Sequence, residues 1–514
     1  WGKVEGKMVR WLAVVVCLAW GSAAAQDLER FCLPQNDAGY GLSLRVTADN
    51  RVHIARVFRI GGGHLVHTTL SPGEAQDSEI VAMRVSRLAI DEVIDTDLFV
   101  DADLGLHVCS YDASGPALRV ASRGPEGWVL ETVAEGPRAG DACALFDDGG
   151  RLAVLFHQDG MLRMGTRRGA DDWQVVDIDA PAGADVGHDV SVTRLADGAL
   201  VAAHRDAQAG ALRVSWRDPD GRWSHQTVAG EHRAGVSPRV VVGRADEVWV
   251  IHGVEPAAPG SDAGLLLTVG TPAGFRTTIV SATETGGSIG AVRGVAGLHV
   301  VTRELRRSAV FGASDALHYY GQLPEHTAPT PIEQYGSNQQ RHTFRFIDLT
   351  LDAFGLPVFV ALDEAAPFGA DQGSGYTCVW RPSDRDADGL PDTIEGRYGT
   401  DPLDADSDDD GRTDGDEVLV DFTDPNGEGE LPDLGPALVV DAAPPARDAA
   451  ARADLGPPMR DAASTEDAAA ERDAGAPADG ATGADAGVAG QDGGGVDDGA
   501  VDRDGGTMAA DSAG

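Results

Sequence analysis

The stretch Val190-Ser191-Val192-Thr193-Arg194-Leu195-Ala196-Asp197-Gly198-Ala199-Leu200-Val201-Ala202-Ala203-His204-Arg205-Asp206 holds a short run rich in β-branched residues, a turn and a second, more apolar run. Val190, Val192 and Thr193 favour an extended chain, and Ala196-Asp197-Gly198 supplies the residue types that reverse it. Working outward, Leu212-Arg213-Val214 starts a third run, and after a turn containing Asp and Gly a fourth is led by Trp223. Four short runs joined by tight turns predict one four-stranded antiparallel sheet.

That order recurs between Gly39 and Arg381 with a period of about 45 to 55 residues. Second runs lie at 105–112, 152–159, 199–206, 248–255, 297–304 and 355–363, and third runs include Leu118-Arg119-Val120, Leu162-Arg163-Met164, Leu265-Leu266-Leu267 and Leu317-His318-Tyr319. Trp128, Trp173 and Phe275 lead fourth runs as Trp223 does. The period and the four strands per unit predict an all-β chain with a six- or seven-bladed β-propeller over residues 26–382. Tandem β-sandwiches would also give many short strands, but they have no reason to repeat a four-strand order at a nearly fixed spacing. The last unit lacks a clear fourth strand, so residues 28–33 are expected to complete it and close the ring.

The chain carries a formal net charge of −41 with 42% apolar residues, enough for a real core. More than half of that charge falls from Asp384 onward, and no basic footprint exists to bind phosphate, which argues against a nucleic-acid partner. At the acidic boundary lie two copies of one loop: Asp384-x-Asp386-x-Asp388-Gly389-x5-Glu395 and Asp406-x-Asp408-x-Asp410-Gly411-x5-Glu417. Oxygens at loop positions 1, 3, 5 and 12, a turning glycine at 6, and further carboxylates at position 9 (Asp392 and Asp414) suit one hard cation per loop, which predicts Ca2+ as cofactor.

These residues carry two resemblances. The two loops, with Gly399-Thr400-Asp401-Pro402-Leu403-Asp404-Ala405-Asp406 between them, resemble bacterial thrombospondin type 3 repeats over residues 383–430. That resemblance implies a calcium-ordered, largely coil segment. Pro382, Pro391, Gly396 and Gly399 argue against the flanking helices of an EF-hand. The repeated units resemble divergent secreted bacterial propellers, loosely sialidase-like, through Ser215 and Asp218-Pro219-Asp220-Gly221-Arg222-Trp223, although the spacing departs from the sialidase Asp-box and no arginine triad can be identified.

Lys7 and Arg10 precede an apolar run from Trp11 to Trp20 and the small residues Gly21-Ser22-Ala23-Ala24-Ala25, the three regions of a secretory signal peptide ending at residue 25, with Met8 as a natural start. No transmembrane segment is expected in the mature chain. Export to an oxidising compartment predicts two disulfides from the four cysteines that remain. Ring closure suggests Cys32–Cys378, which leaves Cys109–Cys143 to join the second strand of one blade to the first strand of the next. Residues 431–514, rich in Ala, Asp, Gly and Pro, cannot bury enough apolar surface to fold and read as a disordered acidic spacer. No apolar anchor follows it, so a released or truncated chain is expected.

No HExxH, Cys-x-x-Cys or Gly-x-Ser-x-Gly motif is present, and no catalytic residue is assigned. His157 and His204 are placed at equivalent repeat positions and read as packed blade residues. The composite expectation is a secreted or cell-surface calcium-binding recognition or adhesion protein, with polysaccharide or a surface protein as partner. A carbohydrate-active hydrolase or lyase at the mouth of the ring and a purely structural surface protein are the alternatives. Inward carboxylates with one arginine or tyrosine at the ring centre would favour catalysis; a mouth lined by aromatics and amides would favour binding.

Overall fold

The computed structural model describes residues 28–431 apart from short stretches within loops, of which 84–95, 255–263, 335–339 and 368–373 are the longest. The expected signal segment, and the expected spacer beyond Leu431, lie outside the described residues.

Second strands are the most apolar in each repeat, as in Val248–Val254, where every residue is buried. Fourth strands such as Gly274–Ser281 are mostly exposed. That gradient fits sheets standing on edge around an axis, each pressed between two neighbours. Seven four-stranded antiparallel sheets result, so the ring has seven blades. Their inner strands are Ala38–Val46, Thr96–Val100, Cys143–Asp147, Val186–Arg194, Ala234–Val242, Thr285–Arg293 and Gln340–Leu351. The apolar cores lie between blades: Ala144, Phe146 and Leu155 of blade 3 meet Val190, Leu200 and Ala202 of blade 4. Each aromatic that leads a fourth strand packs into such a cluster, Trp128, Trp173, Trp223 and Phe275 alike. The Asp218–Arg222 turn before Trp223 is closed by its own aspartate, whose Oδ1 accepts the Arg222 N–H at 2.8 Å.

Blade 7 joins three strands from the end of the repeat region to the N-terminal strand Leu28–Asn36, which pairs with Ser374–Pro382. Cys32 lies directly opposite Cys378 in that pairing, and the two are disulfide-bonded. The second disulfide joins Cys109, in the second strand of blade 2, to Cys143 at the start of the inner strand of blade 3. Both are the pairs expected from closure.

Inner strands are also latched by side chains. Ser43 accepts the Leu98 N–H at 2.9 Å, Asp97 that of Leu145 at 2.7 Å, Ser191 that of Val240 at 3.2 Å, and Asp348 that of Leu44 at 2.8 Å. Each latch satisfies a backbone donor that the antiparallel ladder of its own blade leaves unused. In blade 3 the matching place is Ala144, which has no acceptor to offer.

A candidate cation-binding cap and the mouth of the ring

Each acidic loop closes on itself in the same way. The N–H of position 9 bonds the carbonyl just ahead of position 1: Asp392 to Ser383 at 2.9 Å, and Asp414 to Ala405 at 3.0 Å. Gly389 and Gly411, at position 6, have φ of 99° and 96°, a region that side chains strain to reach, so the glycine of the motif is required by the turn itself. The fold of the segment is less coil-like than expected. Helix α1, Asp392–Tyr398, opens inside the first loop. Pro391 precedes its first residue, where a missing N–H costs nothing, Asp392 and Glu395 lie in the first turn, and Gly399 ends it at φ 84°. The second loop runs into a short turn, Asp414–Asp416, capped by Thr413, and then a π-helical turn, Glu417–Asp421.

Asp384, Asp386 and Asp388 each bring a carboxylate oxygen within 4.8 Å of the others, as do Asp406, Asp408 and Asp410. Glu395 is fully buried beside the first trio, and Glu417 is buried in the second copy. The position-9 carboxylates do different work. Both oxygens of Asp392 are taken by Arg385, at 3.0 and 2.7 Å, and both of Asp414 by Ser407, also at 3.0 and 2.7 Å. In each loop, then, position 9 braces position 2 rather than joining the trio.

Both oxygens of Glu395, both of Asp386 and Oδ1 of Asp384 are buried with no hydrogen-bond donor, and so is Oε2 of Glu417. A buried carboxylate oxygen without a donor costs about 1–3 kcal/mol or more. Burial first, then the neighbouring Asp386, Asp388, Asp392 and Asp384, pushes Glu395 up to about 8. Burial likewise raises Asp388 to about 7 and Asp384 to about 6, and it raises Asp414 and Glu417. Unpartnered oxygens of this density fit a hard, oxygen-seeking divalent cation, the donor set that calcium takes.

The segment is packed on the ring. Leu390, Ile394 and Val418 share a small apolar core with Phe354 and Leu356, which lie in the turn between the first two strands of blade 7. Asp352 shapes that turn by accepting the Phe354 and Leu356 N–H groups at 2.9 and 2.8 Å. Asn50, in the corresponding turn of blade 1, donates to the Gly389 carbonyl and accepts from Ala353 N–H, both at 2.9 Å. One amide therefore ties blade 1, blade 7 and the first loop together. The second loop reaches the first through Gly415 N–H, which donates to Asp388 Oδ2 at 2.7 Å.

Along the axis, Arg45 on the inner strand of blade 1 bridges Asp97 at 2.8 Å and Asp348 at 3.4 Å. This is the arginine and carboxylate composition expected of a catalytic mouth, yet all four carboxylate oxygens are engaged. Asp97 holds Arg45 and the Leu145 N–H; Asp348 holds Leu349 N–H, Leu44 N–H and Arg45. Here the group latches blades.

The placement of His157 needs correction. Its cross-strand partner is Leu162, whereas His204 pairs with Arg213, the counterpart of Arg163; His204 therefore matches Phe156, and His157 matches Arg205. A slip of one residue turns a strand side chain to the other face. His204 is fully buried, accepting the Gly187 N–H and meeting Ser215 Oγ at 3.0 Å; His252 repeats this with Gly235 and Thr268. His157 faces the next blade instead. Its Nε2 lies 3.0 Å from Asp185 Oδ1, and Nε2 of His188 lies 2.9 Å from the same oxygen. Nothing in the sequence marks this convergence, since the three residues belong to a second strand, a connecting loop and an inner strand.

No protein-family signature and no curated protein sequence matches the chain. Solved structures match at the level of fold. An ulvan lyase of polysaccharide lyase family 25 is 8% identical with a TM-score of 0.44, covering 68% of this chain and 95% of its own. A Penicillium chrysogenum α-L-arabinanase is 10% identical with a TM-score of 0.37, covering 66% and 93%. Trypanosoma rangeli sialidase is 11% identical with a TM-score of 0.36, covering 68% of this chain and 58% of the sialidase. Such similarity concerns the propeller architecture alone.

Proposed function

We propose that the chain is an exported calcium-binding recognition protein, in which two loops of thrombospondin type 3 kind hold Ca2+ and the seven-bladed ring is the binding module. The observation that carries this reading is the set of buried, unpartnered carboxylate oxygens around Glu395. Calcium at Asp384, Asp386, Asp388 and Glu395 would remove the mutual repulsion of the first loop and fix it against Asn50 and Phe354. The segment would then act as a cation-dependent clasp over the seam where the first and last blades meet, with any stalk beginning beyond it. Two disulfides agree with life outside the cell.

Polysaccharide is the ligand class to test first. The full chain, with calcium and with chelator, is offered arrayed envelope and extracellular polysaccharides, and bound and free sugars are examined by mass spectrometry. Retention of intact polymer supports recognition. Shortened or unsaturated products would instead make the protein a hydrolase or lyase, the reading that the Arg45–Asp97–Asp348 composition would favour were its oxygens not already engaged. No retention of any polymer would leave a surface protein or a structural role.

A further inference from the structure

Three potential ligands converge where blade 3 meets blade 4. His157 lies one residue before the end of the second strand of blade 3, Asp185 lies in the connecting loop, and His188 stands near the start of the inner strand of blade 4. Their ligand atoms all fall within 4.8 Å of one another. The two imidazole rings face each other with centroids 3.9 Å apart and planes tilted by 31°. Exposure rises from 5% for the His157 side chain through 22% for His188 to 44% for Asp185, so the cluster is anchored on one side and open to solvent on the other.

The backbone holds this arrangement in place. Val186 N–H donates to the Gly160 carbonyl at 3.1 Å, and the Asp185 carbonyl accepts from Ala207 N–H at 2.8 Å, so the peptide group that directly follows the carboxylate residue is tied to both blades. Pinning of this kind gives a site its ligand geometry before the ligand arrives.

We infer that His157, Asp185 and His188 form a binding site for a first-row divalent cation of the zinc class, with a fourth coordination position facing solvent. Two imidazoles and one carboxylate are the donors such ions take, whereas calcium wants a cage of oxygens. The dimensions agree. Zinc bonded at about 2.0–2.1 Å with tetrahedral angles sets neighbouring ligand atoms about 3.3–3.4 Å apart. The two Nε2···Oδ1 separations of 3.0 and 2.9 Å need to open by only a few tenths of an ångström. The fourth position would take water or an anionic oxygen of a ligand. This site is chemically independent of the acidic loops, and the inference stands whether or not those loops hold calcium.

The test uses the full, untagged chain, stripped of metal and then kept in saturating calcium so that the acidic loops do not compete. Cobalt(II) is the probe, because a tetrahedral site with nitrogen donors gives visible d–d absorption. One equivalent should bind with such bands and be displaced by one equivalent of zinc. His188→Ala and Asp185→Asn should weaken cobalt and zinc binding by about 100-fold or more, while His225→Gln, at a half-exposed histidine elsewhere on blade 4, should leave both unchanged. His188 is partly exposed, so its variant is expected to fold, and an unchanged near-UV spectrum would confirm that. Wild-type protein without visible bands, or variants that bind cobalt and zinc as tightly as wild type, would overturn the assignment.

Discussion

The ring and the cap keep buried polar groups by opposite means. In the ring, His204 and His252 are fully buried and neutral, and each finds a backbone N–H on one side and a hydroxyl on the other. Burial lowers them to about 3 and about 4. In the cap, the carboxylate oxygens of Glu395 and Asp386 are buried where no donor of the polypeptide reaches them. One region completes its own hydrogen bonding, and the other leaves it to be completed from outside. The sequence difference behind this is simple. Blade residues that go inward are mostly apolar, or are hydroxyls and imidazoles that can both give and accept; the cap's are carboxylates, which when ionised can only accept.

The widest gap between the two regions should open on removing calcium. If free calcium stands about 100-fold above its dissociation constant, each loop gains about 2.7 kcal/mol from binding, so emptying both with chelator should cost the cap about 5 kcal/mol. Limited proteolysis followed by peptide mapping should then show cleavage between Ser383 and Asn426 with the disulfide-bonded ring intact. Equal protection with and without chelator would erase the distinction drawn here.

A substitution can separate charge from shape in the same place. Glu395→Gln removes an ionisable carboxyl from a fully buried position with almost no change of volume. Calcium affinity of the first loop should fall by about 100-fold, or ~2.7 kcal/mol. In chelator, however, the variant's cap should be cut more slowly than that of the wild type, because folding no longer requires this buried group either to take up a proton or to face the charges of Asp386 and Asp388. Faster cutting of the calcium-free variant would show that Glu395 is not strained by its neighbours.

Acid should move the two regions in opposite directions. His204 and His252 have folded values far below the ordinary 6.5, so the unfolded chain binds protons more readily than the ring does. Ring stability is therefore full above about pH 6.5 and should fall by about 2 kcal/mol for each of the two histidines, about 4 kcal/mol together, between pH 7 and 5. Glu395, Asp388 and Asp384 are raised, to about 8, 7 and 6, so the folded, calcium-free cap binds protons more readily than its unfolded form. Its stability is present near pH 4 and should be lost as pH rises toward 8. Melting followed by intrinsic fluorescence, and proteolysis followed at the cap, should show slopes of opposite sign in chelator. Parallel slopes would contradict the assignment of buried, unpartnered acids.

The smallest effect tests the joint between the regions. Asn50→Ala removes the amide that links blade 1 to Ala353 and Gly389, and should cost ~1–2 kcal/mol of cap protection while ring melting barely changes. Hydrogen exchange at residues 384–398 would report it. No change in exchange there would mean that the apolar contact of Ile394 with Phe354 and Leu356 suffices.

Legibility followed how local each signal was. Blades could be read because a turn such as Ala196-Asp197-Gly198 and the aromatic at Trp223 act within a few residues and recur, and closure followed from a missing strand. Blade number was ambiguous only because the last sheet borrows residues 28–36. The acidic loops were plain from spacing, but α1 was not, since Pro391, Gly396 and Gly399 weigh against a helix until their places just before, inside and just after it are known. The bracing of Asp392 by Arg385 was equally hidden. The surroundings of His157 were hidden because apolar runs alone do not fix strand register, and one residue of slip changes which blade a side chain meets. Docking of Ile394 on Phe354 and Leu356 was beyond reach, because an apolar turn residue announces no partner.

The seam of blade 7 also sets an order of assembly. Strand Leu28–Asn36 is the first of the ring's strands to be made and its partner, Ser374–Pro382, the last, so a growing or emerging chain can be no more than an open arc until Pro382 is available. For most of that interval the first strand waits without its neighbour. The first acidic loop starts two residues after Pro382, so the residues that end the wait are followed at once by those that would capture an ion and hold the finished circle shut.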